Sequence, residues 1–194
     1  MTEGPSRWRR MLRAVFGRPG GNAASVALLC ALVYLYFFSG IRFFLVPSES
    51  MEPTLLKDDY LITTAERSYR RGDIVVLADP EQPGDFIVKR IIAMEGDIVW
   101  ISAGIVCVNG EYLNEPYIKE PPKYEMWPVR IPRGGVFVLG DNRNHSHDSH
   151  AWKRRWAPAS TIAGKVRYIY SPFSRIGRVR SHEWKPAGHT GSTK

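Results

Sequence analysis

Cysteine is scarce in this chain: Cys30 and Cys107 are the two present among 194 residues. Cys30 lies inside an apolar run and Cys107 well outside it, so no bridge between them is expected. Their placement excludes a disulfide framework and a cysteine zinc pattern. A basic stripe is also missing. The net charge is +8, yet residues 1–22 carry a net +4, residues 165–194 a net +6, and residues 23–164 a net −2. A near-neutral body with basic ends does not match a nucleic-acid-binding domain, and no nucleic-acid partner is expected. Internal repeats and convincing amphipathic helical periodicity are lacking beyond the apolar run, which argues against helical and repeat architectures. A second long apolar run is absent too, so one membrane crossing is the most this pattern supports.

The single apolar run extends from Ala23 to Ile41 without a charge. At ~1.5 Å per helical residue it nearly crosses a ~30 Å hydrocarbon core. Arg42 closes it, Phe43 to Val46 suit the interface, and Tyr34, Tyr36, Phe37 and Phe38 crowd its far end like an aromatic belt. The arginines before it (Arg7, Arg9, Arg10, Arg13 and Arg18) place the N-terminus in the cytoplasm and the rest of the chain outside. The run is longer than a cleaved signal's core and lacks a small-residue cleavage site at its end. The expectation is a retained single-pass anchor in the cell membrane, in contact with lipid.

Beyond Leu55 the texture is short β-like runs split by turn residues. Strands are expected at 60–64, 74–77, 86–94, 98–102, 105–108, 111–113, 136–139 and 162–170. Asn109-Gly110 is a strong hairpin signal. Residues 114–135, rich in Pro, Lys and Glu, read as a long loop or hairpin extension. The expected organisation is a basic N-terminus at 1–22, an anchor at 23–45, and a mostly β domain at 46–180. Residues from about 98 to 135 form an inserted subdomain of it, and 181–194 form a disordered tail.

The candidate chemistry lies in Pro47-Ser48-Glu49-Ser50-Met51-Glu52-Pro53-Thr54-Leu55. Pro47 and Pro53 remove backbone donors and push their neighbours toward extended geometry. The result is a stiff, irregular segment holding two hydroxyls near a backbone N–H, which suits a nucleophile with its own oxyanion donor. It suits a serine-rich connector equally well. A nucleophilic Ser50 needs a base. No histidine–carboxylate arrangement stands out, but Lys89 lies within the apolar run Phe86 to Met94. Strand alternation puts Lys89, Ile91 and Ala93 on one face and Val88, Arg90 and Ile92 on the other. Lost hydration there would favour the neutral amine, which can take a serine proton; the alternative is a lysine that snorkels to water.

Four stretches in order resemble the conserved boxes of bacterial type I signal peptidase (leader peptidase). They are 47–55, Arg71-Gly72-Asp73-Ile74-Val75-Val76-Leu77, Lys89-Arg90 to Gly96-Asp97, and Gly140-Asp141-Asn142-Arg143 to Asp148-Ser149. The resemblance covers the chain from about Ala23 to Ser171. It implies a mostly β serine–lysine dyad peptidase that cleaves signal peptides from secretory precursors after small-x-small sites. By this resemblance Ser50 matches the nucleophile, Lys89 the general base and Ser48 the oxyanion donor beside the Ser50 N–H. Ser146 matches the serine that orients the lysine. Asp148, Asp141 and Arg143 match supporting residues, and Val46 and Val88 match the walls of the substrate pockets. It implies no metal and no cofactor.

Several positions depart from the family pattern. Glu49 stands where glycine is usual, Ala93 and Glu95 replace a glycine and a proline, and His150 stands where an arginine usually pairs with Asp148. Ala151 to Trp156 replace an aromatic-glycine segment. The departures keep two further readings: a specialised Ser–Lys processing peptidase with a narrow substrate set, and a catalytically silent membrane-anchored binding domain. His145, His147, His150 and Asp148 have the donors for zinc, but a solvated loop is the expectation. Trp152 to Trp156 suit lipid headgroups or, rather better, an exposed loop with half-buried tryptophans. No feature of the sequence speaks for or against an oligomer.

Overall fold

The computed structural model describes residues 21–38 and 40–182. Most of the expected basic N-terminus and most of the expected tail therefore lie outside the described residues. The chain divides into two units, residues 1–39 and 40–194.

In the first unit, helix α1 spans Gly21–Phe38. Its 18 residues give a length of about 27 Å, short of a ~30 Å hydrocarbon core. No helix among the described residues is long and apolar enough to cross a membrane. The anchor expected over 23–45 is thus corrected at its C-terminal end. Ile41–Leu45, the last part of that span, is strand β1, paired in register with Tyr60–Thr64. Gly40, at φ 66°, turns the chain into that strand.

The second unit is mostly β, as its runs of β-branched and aromatic residues dictate. The strands are β1 (Ile41–Leu45), β2 (Tyr60–Thr64), β3 (Ile74–Ala78), β4 (Phe86–Met94), β5 (Ile98–Ser102) and β6 (Ile105–Val108). They continue with β7 (Glu111–Tyr112), β8 (Met126–Arg130), β9 (Gly135–Leu139), β10 (Ala157–Pro158), β11 (Ile162–Ser171) and β12 (Gly177–Arg178). An eight-stranded sheet runs β1-β2-β11-β3-β4-β9-β10, with β12 on β11, and a four-stranded sheet runs β7-β6-β5-β8. All pairings are antiparallel. The hairpin between β6 and β7 turns on Asn109 and Gly110, both at positive φ, as a tight primed turn requires.

Two clusters fix the frame of the site. Ile92, Ala93, Phe137 and Leu139 of the large sheet pack against Val99, Ile101, Val106 and Val108 of the small one. Val46, Met51 and Leu55 pack with Leu61, Ile74, Val76, Val88 and Val166, which moors the stretch around Ser50 on the large sheet. Each such fully buried side chain contributes roughly 1.5–3 kcal/mol. A register shift between Ile91 and Ala93 against β9 corrects the simple alternation expected along β4. Past the bulge, Ile92 and Ala93 both enter the first cluster, while Ile91 packs with Val75 and Leu77.

Candidate active site

Ser48 is extended, at φ −143° and ψ 168°, and leads into one 3₁₀ turn, Glu49–Met51. The backbone N–H of Glu52 donates to Glu49 O at 3.1 Å and that of Leu55 to Met51 O at 3.0 Å. Met51 and Leu55 are buried beneath, so the turn cannot roll, and Ser50 is 7% exposed. Asn142 grips the turn from the other half of the chain. Its backbone N–H donates to Ser50 O at 3.0 Å and its Nδ2 to Glu49 O at 3.1 Å.

Strand β4 delivers Lys89. Its Nζ is hydrogen-bonded to Ser50 Oγ at 2.7 Å, across 39 residues of chain. Lys89 is 3% exposed, so it does not snorkel to water. Burial pushes its pKa down and outweighs the opposite pull of Asp148, Asp79 and Asp141. The Ser48 hydroxyl donates to Ser50 Oγ at 3.2 Å. A serine oxygen, a desolvated amine and a second hydroxyl thus meet at one point.

Asp148 organises the surrounding loop. It is fully buried and accepts from Gly140 N at 2.9 Å, from the Ser146 hydroxyl, and from His150 through its backbone N–H. Gly140 and Ser146 share Oδ2, whereas the His150 N–H and, at 2.7 Å, His150 Nδ1 both meet Oδ1. Burial alone would raise the Asp148 pKa, but the His150 imidazole, the Lys89 charge and the Ser146 hydrogen bond hold it below the ordinary carboxylate value. Ser146, matched by resemblance to a lysine-orienting serine, donates to Asp148 and makes no hydrogen bond to Lys89 among the described residues. Gly140 lets the two loops meet, because a Cβ there would run into Ser50 O and the Ser146 side chain.

The other matched residues stand one layer out. Asp141 takes both Nε and Nη2 of Arg90, at 2.8 and 2.6 Å, and the Thr54 hydroxyl. Arg90 also donates to Gly72 O at 2.9 Å and lies over the Tyr117 ring at 3.9 Å. Arg143 donates to both oxygens of Glu115 at 2.8 and 2.6 Å, and to Gly140 O at 3.1 Å. Val46 and Val88 are both buried in the cluster beneath the Ser50 turn.

Sequence reasoning did not find Asn142, Glu115 or Tyr117, nor the role of Arg90. The signal for Arg90 was present: a second cation beside Lys89 in an apolar strand demands a buried carboxylate. Trp152 corrects another expectation. It is fully buried with Val75, Leu77 and Ile91 and is not a half-exposed loop residue. The histidines diverge, His150 to Asp148 and His147 to Glu81 at 2.8 Å. Among the described residues no group of three or more His, Cys, Asp or Glu is placed to hold a metal ion.

Residues 21–171 match the family described as signal peptidase, peptidase S26. This chain belongs to the signal peptidase family. It is 39% identical over 173 residues to the probable signal peptidase I-1 of Synechocystis sp., covering 84% of this chain and 86% of that one. It is 38% identical over 172 residues to the signal peptidase I of Leptolyngbya laminosa, covering 82% of each. The thylakoidal processing peptidase 1 of Arabidopsis thaliana is 38% identical over 152 residues, 71% of this chain and 44% of that one. A signal peptidase must supply a nucleophile and a proton acceptor for amide hydrolysis, and Ser50 with Lys89 is a pair of that chemistry.

Proposed function

We propose that this protein is a membrane-bound serine endopeptidase that removes N-terminal signal peptides from exported precursors after small-x-small sites. Ser50 is the nucleophile and Lys89 the general base. The observation that carries this reading is the 2.7 Å contact between Lys89 Nζ and Ser50 Oγ, made by an amine whose pKa burial lowers.

The extended segment of a precursor adds to the sheet beside the site by main-chain pairing. Its small side chains are expected, by the family resemblance, to pack near the buried Val46 and Val88. Neutral Lys89 takes the Ser50 proton as Ser50 Oγ bonds to the scissile carbonyl carbon. The Ser50 N–H and Ser48 hydroxyl stabilise the oxyanion. The ammonium returns its proton to the leaving amine as the C–N bond breaks, and water, deprotonated by the same lysine, releases the acyl group. Ser146 and Asp148 hold the loop against Gly140, and Asp141 and Arg143 hold it to Arg90 and Glu115. The steps use protein groups alone, with no metal and no cofactor.

The uncharged run Ala23–Ile41 behind an arginine-rich start supports a single-pass anchor in the cell membrane, with the N-terminus in the cytoplasm and the catalytic domain outside. A narrower substrate set is the second reading, favoured by the exposed Glu49 carboxylate next to Ser50. The test is cleavage of a precursor carrying an Ala-x-Ala site by purified full-length protein in detergent, wild type beside Lys89→Ala. Cleavage by wild type alone is expected; cleavage by both would remove Lys89 from the mechanism. Cleavage by neither would favour the narrow-substrate reading or the silent binding domain.

A further inference from the structure

Glu49 stands between the two serines of the site, in the turn Glu49–Met51, and it is exposed. Its backbone cannot swing away. Its carbonyl oxygen accepts from Asn142 Nδ2 at 3.1 Å and from the Glu52 N–H at 3.1 Å. Adjacent Cα atoms lie ~3.8 Å apart, so this carboxylate is tethered one residue from the reacting oxygen.

The charges around it are otherwise matched. The 114–125 stretch is pinned beside the turn, with Lys119 N donating to Asp141 O at 3.0 Å. Lys119 Nζ is bound by Glu52 at 2.8 Å, and Lys123 Nζ by Glu120 at 2.8 Å. The Lys119 pKa is raised, first by the Glu52 hydrogen bond and also by the charges of Glu49 and Glu120. Three carboxylates thus share two ammonium groups, and both are bound by residues other than Glu49. One negative charge is left over, and it lies beside the nucleophile. Asp148, Asp79 and Asp141 are the carboxylates that act on the Lys89 amine. The exposed Glu49 acts outward, on whatever lies over Ser50.

We propose that Glu49 is a specificity-determining residue: it favours precursors with a basic side chain, and disfavours those with an acidic one, at the first two positions after the cleaved bond. This rests on the reading above, in which Ser50 attacks and the segment before the bond pairs with the sheet. That segment has a place to pair. β1 ends the large sheet, and β9 pairs with β4 from Arg90 onward, which leaves the edge at Phe86–Lys89 for an added strand. Phe44 of β1 and Phe86 of β4 meet at that end, ring centroids 5.4 Å apart. Along β4 the order is then Val88, Lys89 and Arg90. Arg90 binds Asp141, and the Asp141 carbonyl holds Lys119. The residues after the bond therefore leave past the flank formed by Asn142, Lys119 and Glu49. A carboxylate there attracts a lysine or arginine and repels an aspartate or glutamate.

The experiment measures kcat/KM at low salt for Ala-x-Ala precursors that carry Lys, Gln or Glu at the first or second position after the bond. Wild type should prefer Lys to Glu by about five- to tenfold, the scale of an exposed attraction exchanged for an exposed repulsion. Glu49→Gln should shrink that ratio to about twofold or less, and Glu49→Lys should reverse it. Salt at ~1 M should flatten every ratio, because the screening length is then ~3 Å. Ratios within one enzyme cancel any general loss that a substitution causes. An undiminished ratio in folded Glu49→Gln overturns the proposal, as does a folded Glu49→Lys that keeps the wild-type order. An equal dependence on the charge of the residue x, before the bond, also overturns it, because the carboxylate would then face the other half of the substrate. If Glu49→Lys does not fold, the Glu49→Gln ratio decides alone. Equal rates on Lys and Glu precursors, with cleavage still abolished by Lys89→Ala, overturn this preference and leave the dyad standing. Wild-type failure on every one of these precursors overturns the preference together with the general-peptidase reading.

Discussion

Arg90 forks both oxygens of Asp141 from the strand position next to Lys89, and both partners are buried. Adjacent residues of β4 thus serve opposite ends: the lysine is left without a hydrogen-bonded carboxylate, and the arginine is given one. That division decides which cation burial pushes toward its neutral form. Arg90→Ala leaves Asp141 buried and unpaired, which costs about 3–5 kcal/mol of stability. Arg90→Lys recovers part of it, because an ammonium cannot fork two oxygens or cover the Tyr117 ring. Equilibrium denaturation of the three proteins reads the order; equal stability of Ala and Lys variants would mean the fork contributes nothing.

Ser50→Ala and Lys89→Ala each remove one half of the 2.7 Å contact. Both are expected to reduce precursor cleavage to background while keeping the wild-type circular dichroism spectrum. Normal turnover by either folded variant would reject the dyad.

Ser48→Ala deletes the hydroxyl that lies 3.2 Å from Ser50 Oγ. Loss of one oxyanion donor lowers kcat by roughly 10²–10³ without moving the cleaved bond. Mass spectrometry of the product fixes the bond and the rate fixes the role; an unchanged kcat would assign Ser48 to structure alone.

Lys89 also links stability to pH. Burial lowers its folded pKa, whereas in the unfolded chain the amine titrates near ~10.4. Between those values the unfolded state binds more protons than the native state, so this group's contribution rises with pH across that window. Lys89→Met removes it. The variant's gain in stability over wild type should be larger at pH 7 than at pH 10, measured by chemical denaturation at both. A gap independent of pH would show that the folded amine keeps its ordinary pKa.

Gly140→Ala places a methyl group against Ser50 O and the Ser146 side chain. The loop and the nucleophile turn cannot both stay, so activity should fall steeply, with a stability loss of about 1–3 kcal/mol from overpacking. Wild-type kinetics in this variant would mean the two loops have slack between them.

Much of the β framework was legible because alternation and turn chemistry are local. Phe86–Met94 and Ile98–Ser102 begin and end where the residue pattern changes. Four strands were not legible: the two-residue Ala157–Pro158 and Gly177–Arg178, too short to carry a pattern, and two longer ones, for different reasons. Ile41–Leu45 follows an apolar run so closely that hydropathy merges them, and the partner Tyr60–Thr64 alone separates them. Met126–Arg130 contains Pro128, which argues against a strand unless the strand is at an edge, and β8 is at the edge of the small sheet. In the site, the surroundings of Ser50 and Lys89 left a connector and a solvated lysine open, and the resemblance of the four boxes singled the pair out. Their supporting contacts were not legible, because pairs such as Arg143–Glu115 and Asn142–Glu49 join residues 28 and 93 apart, and no periodicity announces them.

The place of β11 sets when this enzyme comes into being. It lies between β2 and β3 in the large sheet, although it is made from residues 162–171. Until that segment emerges, the inner edges of β2 and β3 have nothing to pair with, and the strand that carries Lys89 hangs on an incomplete sheet. The turn that carries Ser50 waits likewise for Asn142. Bringing Ser50 and Lys89 together on a complete sheet is therefore deferred until Asn142 and residues 162–171 have taken their places.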